Sequence, residues 1–325
     1  MNSTRKMNRK AAGLFLLLAG ITVIGLAGSE WYSKPVQSKK TLNIAAEAAI
    51  LLDAQTGKVI YEKNANAALP PASMSKMMTE LVVLDRVNDG LLKWSDKIKT
   101  SRYAADAPGA QIGFGAGESW TVRELFEATT VHSANDAAIA LAEHIAGSEK
   151  KFVQMMNERG KEIGLSDKAV FGNATGLSMT DLVAFPEASA SRETELTAKD
   201  TAKLAYYLIS KYPEVLEVTA RDSVKLTSSD ARLQTTNMML SGKPFAYPGN
   251  DGLKTGYTER AGYCFTGTAK VDGKRLITVV MGAGTADARF EETQKLLHYG
   301  FQTSKFDSWK IDMSAKIGLI AAAAR

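Results

Sequence analysis

The chain has 325 residues, 45% hydrophobic and 23% charged, which is ordinary for a soluble globular protein. Its net charge of +5 includes Arg5, Lys6, Arg9 and Lys10, so the remainder is nearly neutral and the main argument for a nucleic-acid partner falls away. Cys264 is the only cysteine, which excludes an internal disulfide, and residues 29–325 suffice for one large domain or two smaller ones.

The basic start runs into Ala11–Gly28, 18 uncharged and mostly apolar residues. A basic end followed by an apolar run is an export segment. It is long for a cleaved signal and just long enough to span a bilayer. Residues 1–28 are therefore expected to be either a signal peptide or an uncleaved anchor with its basic end inside. Residues 29–43 are polar, contain Pro35 and read as a spacer.

Ala46 to Asp53 and Lys58 to Tyr61 are short apolar segments around Gln55-Thr56-Gly57, the pattern of a hairpin. From Ser73 to Asn88, Met74, Met77, Met78, Leu81, Val82 and Leu84 recur at helical spacing. That helix is apolar nearly all round, so it is expected to run buried through the domain. Leu91 to Trp120 is loop-rich. Thr121 to Ala146 reads as helical, with Thr121 and Glu124 at capping-box spacing and a polar interruption from Thr130 to Asp136. Helices are also expected from Lys150 to Ile163, closed by Gly164, and from Thr197 to Ser210, capped by Thr197.

The last third is strand-like at Asp251 to Thr258, Gly262 to Val271 and Arg275 to Ala283, the last two joined by Asp272-Gly273. A helix follows over Ala286 to Tyr299. Strands at both ends and helices between them predict an α/β (α+β) fold. One antiparallel sheet of about five strands would carry helices on both faces, with a mostly helical insert.

The chemistry sits in three short motifs. Ser73 and Lys76 lie three residues apart at a helix start, so a hydroxyl and an amine share one face. Ser3/Lys6 and Ser148/Lys151 have the same spacing, so the pair alone proves little. Ser133-Ala134-Asn135 is the only Ser-x-Asn, and Lys254-Thr255-Gly256 is the only Lys-Thr-Gly. Sixty residues separate Ser73 from Ser133, and 121 separate Ser133 from Lys254. In this order they are the signature set of penicillin-interacting serine enzymes. They supply a nucleophile, a base and an anion-binding group without histidine. His132 abuts Ser133 but reads as a packed or loop residue, because the lysines already fill the basic role. No zinc motif is present, and neither a metal nor a cofactor is expected.

Pro71-Ala72-Ser73-Met74-Ser75-Lys76-Met77-Met78-Thr79 resembles the active-site segment of the D-alanyl-D-alanine carboxypeptidases, the low-molecular-mass penicillin-binding proteins of serine peptidase family S11. Asp251 to Thr258 with Ala261 to Cys264, the Asn173 to Leu177 loop, and Thr235-Thr236-Asn237 with Leu240 are also similar to that family. The resemblance spans roughly residues 44–303 and implies a β-lactamase/transpeptidase-like fold. It implies that Ser73 attacks the penultimate D-alanine carbonyl of a peptidoglycan stem peptide and that Lys76 accepts its proton. Ser133 would relay a proton to the departing D-alanine. Asn135, Lys254, Thr255, Gly256 and Tyr257 would bind the substrate: Asn135 holds its amide, Lys254 orients Ser133, and Thr255 meets the terminal carboxylate. The backbone N–H groups of Ser73 and Tyr257 would form the oxyanion hole. β-Lactams would acylate Ser73 as inhibitors. The protein would lie in the cell-wall space or periplasm, or on the outer face of the bacterial cytoplasmic membrane, held there through its N-terminal segment if that is uncleaved.

Glu193-Thr194-Glu195-Leu196-Thr197 superficially resembles the deacylating segment of class A β-lactamases, but its final Asn is missing, and Glu193 and Glu195 read as exposed charges. Family members commonly continue into a second β-rich domain and an amphipathic helix. Here only a short tail, 304–325, would follow, either natural or a truncation. A D,D-endopeptidase sharing the three motifs and a non-turnover penicillin-binding module are the competing expectations.

Overall fold

The computed structural model describes residues 42–303. The expected export segment at 1–28, nearly all of the spacer and the tail at 304–325 lie outside the described residues. Among the described residues no helix is long and apolar enough to cross a membrane.

Strand β1 (Ala48–Asp53), apolar up to its last residue, is buried along its whole length, and β2 (Val59–Lys63) folds back on it half-buried to exposed. A 3₁₀ turn at Ala72–Ser75 then leads into α1 (Lys76–Asn88). Every α1 residue from Lys76 to Leu84 is buried, as its all-round apolar sequence requires. The loop-rich stretch that follows contains β3 (Lys97–Lys99), the short helix α2 (Arg102–Asp106) and β4 (Ser119–Thr121), which pairs with β3.

The expected helix from Thr121 to Ala146 is two helices. Thr121 and Glu124 form the capping box of α3 (Val122–Glu127), whose end widens into a π-turn at Ala128–His132. Ser133 is left-handed, φ 68°, and this ends the helix before α4 (Asn135–Ala146) begins. Then come α5 (Glu149–Glu162), α6 (Met179–Leu182), α7 (Ala198–Lys211) and α8 (Val215–Thr219). A small hairpin of β5 (Ser223–Lys225) and β6 (Arg232–Gln234) closes the insert.

The chain returns to the sheet as β7 (Asn250–Thr258), β8 (Gly262–Val271) and β9 (Lys274–Ala283). Asp272 and Gly273, φ 50° and 80°, make the two-residue turn between β8 and β9 that right-handed strand twist favours. The sheet is antiparallel in the order β2-β1-β9-β8-β7, which places β7 at an edge. Ile50, Leu52, Ile277 and Val279 face the helical insert and join its core. On the other face a helix over residues 288–303, α9, covers Phe265 and Leu51: the rings of Phe265 and Phe290 are 5.1 Å apart. A Cβ on Gly300 would come within 2.9 Å of Leu51, so that glycine sets how closely α9 lies on the sheet. The expected five strands and helices on both faces are thus present.

Candidate active site

Ser73 sits in the turn that joins a loop to α1, immediately after Ala72, whose φ of 48° is unusual for a residue with a Cβ. The turn directs Ser73 out of the helix while Lys76, three residues on, begins it. Lys76 Nζ lies 2.8 Å from Ser73 Oγ, 2.6 Å from Asn135 Oδ1 and 2.8 Å from the Thr175 carbonyl. Carbonyl oxygens can only accept. Two N–H bonds of a neutral amine therefore point to Asn135 and Thr175, and its lone pair is left for the Ser73 hydroxyl. Lys76 is fully buried, and burial followed by the charge of Lys254 pushes its pKa well below the usual lysine value.

Two loops hold this geometry. The Asn173 side chain accepts from the N–H groups of Thr175 and Gly176, bending the backbone so that the Thr175 carbonyl meets Lys76. Gly176, φ 80°, lies so close to the Ser73 turn that a Cβ on it would fall 2.1 Å from the Ala72 carbonyl oxygen. Across the site, the buried Asp136 carboxylate accepts from the N–H groups of Ile112, Gly113 and Ala137, tying the 108–113 loop to α4. Asn135 Nδ2 donates to the Pro108 carbonyl at 2.6 Å, which leaves one of its two N–H bonds for a ligand.

Ser133 stands between the π-turn and α4 and is 7% exposed. The third motif lies on edge strand β7, against the Ser73 turn. A Cβ on Gly256 would be 2.5 Å from the Pro71 carbonyl oxygen, so only glycine allows this approach. Lys254 is buried and its hydrogen bond goes to the Thr255 carbonyl at 3.3 Å. Among the described residues it makes no hydrogen bond with Ser133. The Thr255 hydroxyl donates to Thr236 Oγ1 at 2.7 Å. Tyr257 is half exposed at the rim, its ring stacked on Tyr263 with centroids 4.4 Å apart. Ser73, Ser133, Asn135, Thr255, Gly256 and Tyr257 together line a cleft of about 320 Å³. Lys76 and Lys254 lie buried behind it.

Thr236, named in the sequence only as part of the Thr235-Thr236-Asn237 stretch, partners Thr255. Two further residues carry no sequence motif. Arg289, from α9, lines the cleft with a guanidinium 3.3 Å from the Gly256 carbonyl and stacked over Tyr263 and Phe290. Its Nε has no protein partner. Glu80, one turn along α1 from Lys76, is 2% exposed. Its signal was present: a carboxylate inside the apolar run Met77 to Leu84.

His132 donates from Nδ1 to the Gln234 carbonyl at 2.9 Å and makes no hydrogen bond with Ser133. The expectation of freely exposed Glu193 and Glu195 is corrected: both are half-buried and pair with Arg260 on the turn between β7 and β8, at 3.1 and 3.6 Å. Among the described residues no cluster of His, Cys, Asp or Glu is arranged to hold a metal.

Residues 34–285 match the profile of the family described as D-alanyl-D-alanine carboxypeptidase. D-alanyl-D-alanine carboxypeptidase DacF of Bacillus subtilis is 38% identical, over 89% of this chain and 70% of its own length. DacC of Escherichia coli is 34% identical over 82% of this chain, which spans 64% of that protein. Among solved structures, penicillin-binding protein D2 from Listeria monocytogenes in its ampicillin-bound form is similar with a TM-score of 0.68 and 38% identity. That likeness covers 80% of this chain and 99% of the other.

Proposed function

The chain belongs to the D-alanyl-D-alanine carboxypeptidase family, and on that footing we propose that it removes the terminal D-alanine from peptidoglycan stem peptides through an acyl-enzyme on Ser73. β-Lactams inhibit it by acylating the same serine. The observation that carries the reading is the environment of Lys76 Nζ, held by two carbonyl acceptors with Ser73 Oγ as its third neighbour.

The amine takes the Ser73 proton as Oγ attacks the penultimate carbonyl. The negative charge that develops on the carbonyl oxygen is met by the backbone N–H groups of Ser73 and Tyr257. Ser133 relays the proton taken up by Lys76 to the leaving D-alanine nitrogen, which breaks the peptide bond and leaves an ester on Ser73. Asn135 donates to the peptide through its remaining N–H. The terminal carboxylate is held by the Thr255 hydroxyl, whose O–H turns to it from Thr236 Oγ1, in the field of Lys254 and Arg289. Water then cleaves the ester and regenerates Ser73. The enzyme is exported by its basic-then-apolar N-terminal segment and works in the cell-wall space, or at the outer face of the cytoplasmic membrane where that segment is left uncleaved.

The test is incubation with diacetyl-L-lysyl-D-alanyl-D-alanine. D-Alanine release that vanishes in Ser73→Ala supports the reading. Penicillin labelling without peptide turnover would make the chain a recognition module, and cleavage of cross-linked muropeptides alone would make it an endopeptidase.

A further inference from the structure

Three ionisable side chains are buried together behind the cleft: Lys76 and Glu80 on α1, one turn apart, and Lys254 on β7. Glu80 Oε1 has no hydrogen-bond partner. Burial pushes the Glu80 carboxyl up to about 7 against the pull of the Lys254 and Lys76 charges, so it carries its own charge above that pH. The groups that reach this cluster are Lys76 from α1 itself, Lys254 from β7, the Thr130 hydroxyl from the π-turn, Asp136 from α4 and Arg289 from α9. Two buried lysines with a third cation nearby repel one another when charged; of the two carboxylates, Asp136 is held by three backbone N–H groups, which leaves Glu80 as the one without such bonds.

We propose that Glu80 is the counter-ion of the active-site lysines, holding Lys254 charged so that Lys76 is the lysine that gives up its proton and serves Ser73. This inference rests on the reading of Ser73 as the nucleophile. Burial lowers both lysines, Lys76 the further, and Lys254's charge lowers Lys76 again. Glu80 is the leading charge that opposes burial at Lys254, whereas at Lys76 it ranks behind Lys254. Glu80 touches no substrate. It acts through the two lysines and is a positioning residue.

The sign of its effect follows. Removing the carboxylate lowers the pKa of both lysines. In a profile of acylation rate against pH, the ascending limb reports Lys76 losing its proton and the descending limb reports Lys254 losing its own. Glu80→Gln should therefore move both limbs to lower pH, the descending limb by about one unit or more.

The test is the second-order rate of acylation by a fluorescent penicillin from pH 5 to 11 for the full chain and Glu80→Gln, with thermal melting to confirm folding. An acid shift of the descending limb supports the proposal. Superimposable profiles from a folded variant overturn it, because a packing role would lower the melting temperature without moving the limbs. If Glu80→Gln does not fold, Glu80→Asp, which withdraws the charge by one methylene, should shift the limbs in the same direction by less; an unshifted profile overturns the proposal. A wild-type chain that is not acylated at Ser73 overturns both readings. A wild-type chain acylated at Ser73 beside an unshifted variant overturns this one alone.

Discussion

Lys76 Nζ and Asn135 Oδ1 are 2.6 Å apart although 59 residues separate them in the chain. The contact joins the first motif to the second through the base itself. Asn135→Ala removes that acceptor and frees the Pro108 carbonyl, leaving a buried N–H without a partner at a cost of about 1–3 kcal/mol. Acylation by a fluorescent penicillin should fall about tenfold or more. An unchanged rate would mean that Asn135 does not position the amine.

Lys76 also imposes a pH dependence on stability. Its folded pKa is depressed below the unfolded value, so between the two the unfolded chain binds one more proton. Stability then rises with pH through that window, by up to about 1.4 kcal/mol per unit. Urea unfolding between pH 6 and 10 should show the wild type gaining on Lys76→Met as pH rises. Parallel curves would contradict the depressed value.

Gly176 cannot carry a side chain. Its φ is positive, and a Cβ would meet the Ala72 carbonyl oxygen at 2.1 Å. Gly176→Ala should cost about 3 kcal/mol or more and displace the Thr175 carbonyl from Lys76. Denaturant midpoints read the first effect and acylation rates the second; a loss under about 0.5 kcal/mol would show that the loop yields freely.

Arg289 should discriminate by charge. Arg289→Met is expected to lower kcat/KM for the tripeptide acid about tenfold while leaving its C-terminal amide nearly unaffected, a change of about 1.4 kcal/mol. Equal losses on both substrates would assign Arg289 to packing against Tyr263 and Phe290 instead.

Cys264 is buried, and burial pushes its thiol up to about 11. Iodoacetamide at pH 8 should leave the native protein unmodified and alkylate it in denaturant, as intact mass would report. Rapid labelling of the folded chain would contradict this packing.

The sheet was legible because its strands are long apolar runs with turn chemistry between them, down to Asp272-Gly273. The strands β3 to β6 were not, since three residues cannot establish a period. The helix break at Ser133 left only a polar interruption in the sequence, because a left-handed backbone has no composition signal outside glycine. Ser73, Lys76, Ser133, Asn135 and Lys254 to Gly256 were picked out by motif order and Tyr257 by the family resemblance, and the fold gathers them in or behind one cleft. Arg289 was not picked out, since it enters the cleft only because α9 crosses the far face of the sheet. Thr175 was not either, since it contributes a backbone carbonyl that any residue type would carry.

The cleft is assembled from the edge of the sheet, the turn before α1 and the break before α4, parts that fold from the two ends and the middle of the sequence. No fragment of the chain holds it. A covalent penicillin label is therefore a census of finished molecules: chains still folding go uncounted. The labelled fraction of a preparation should equal its folded fraction.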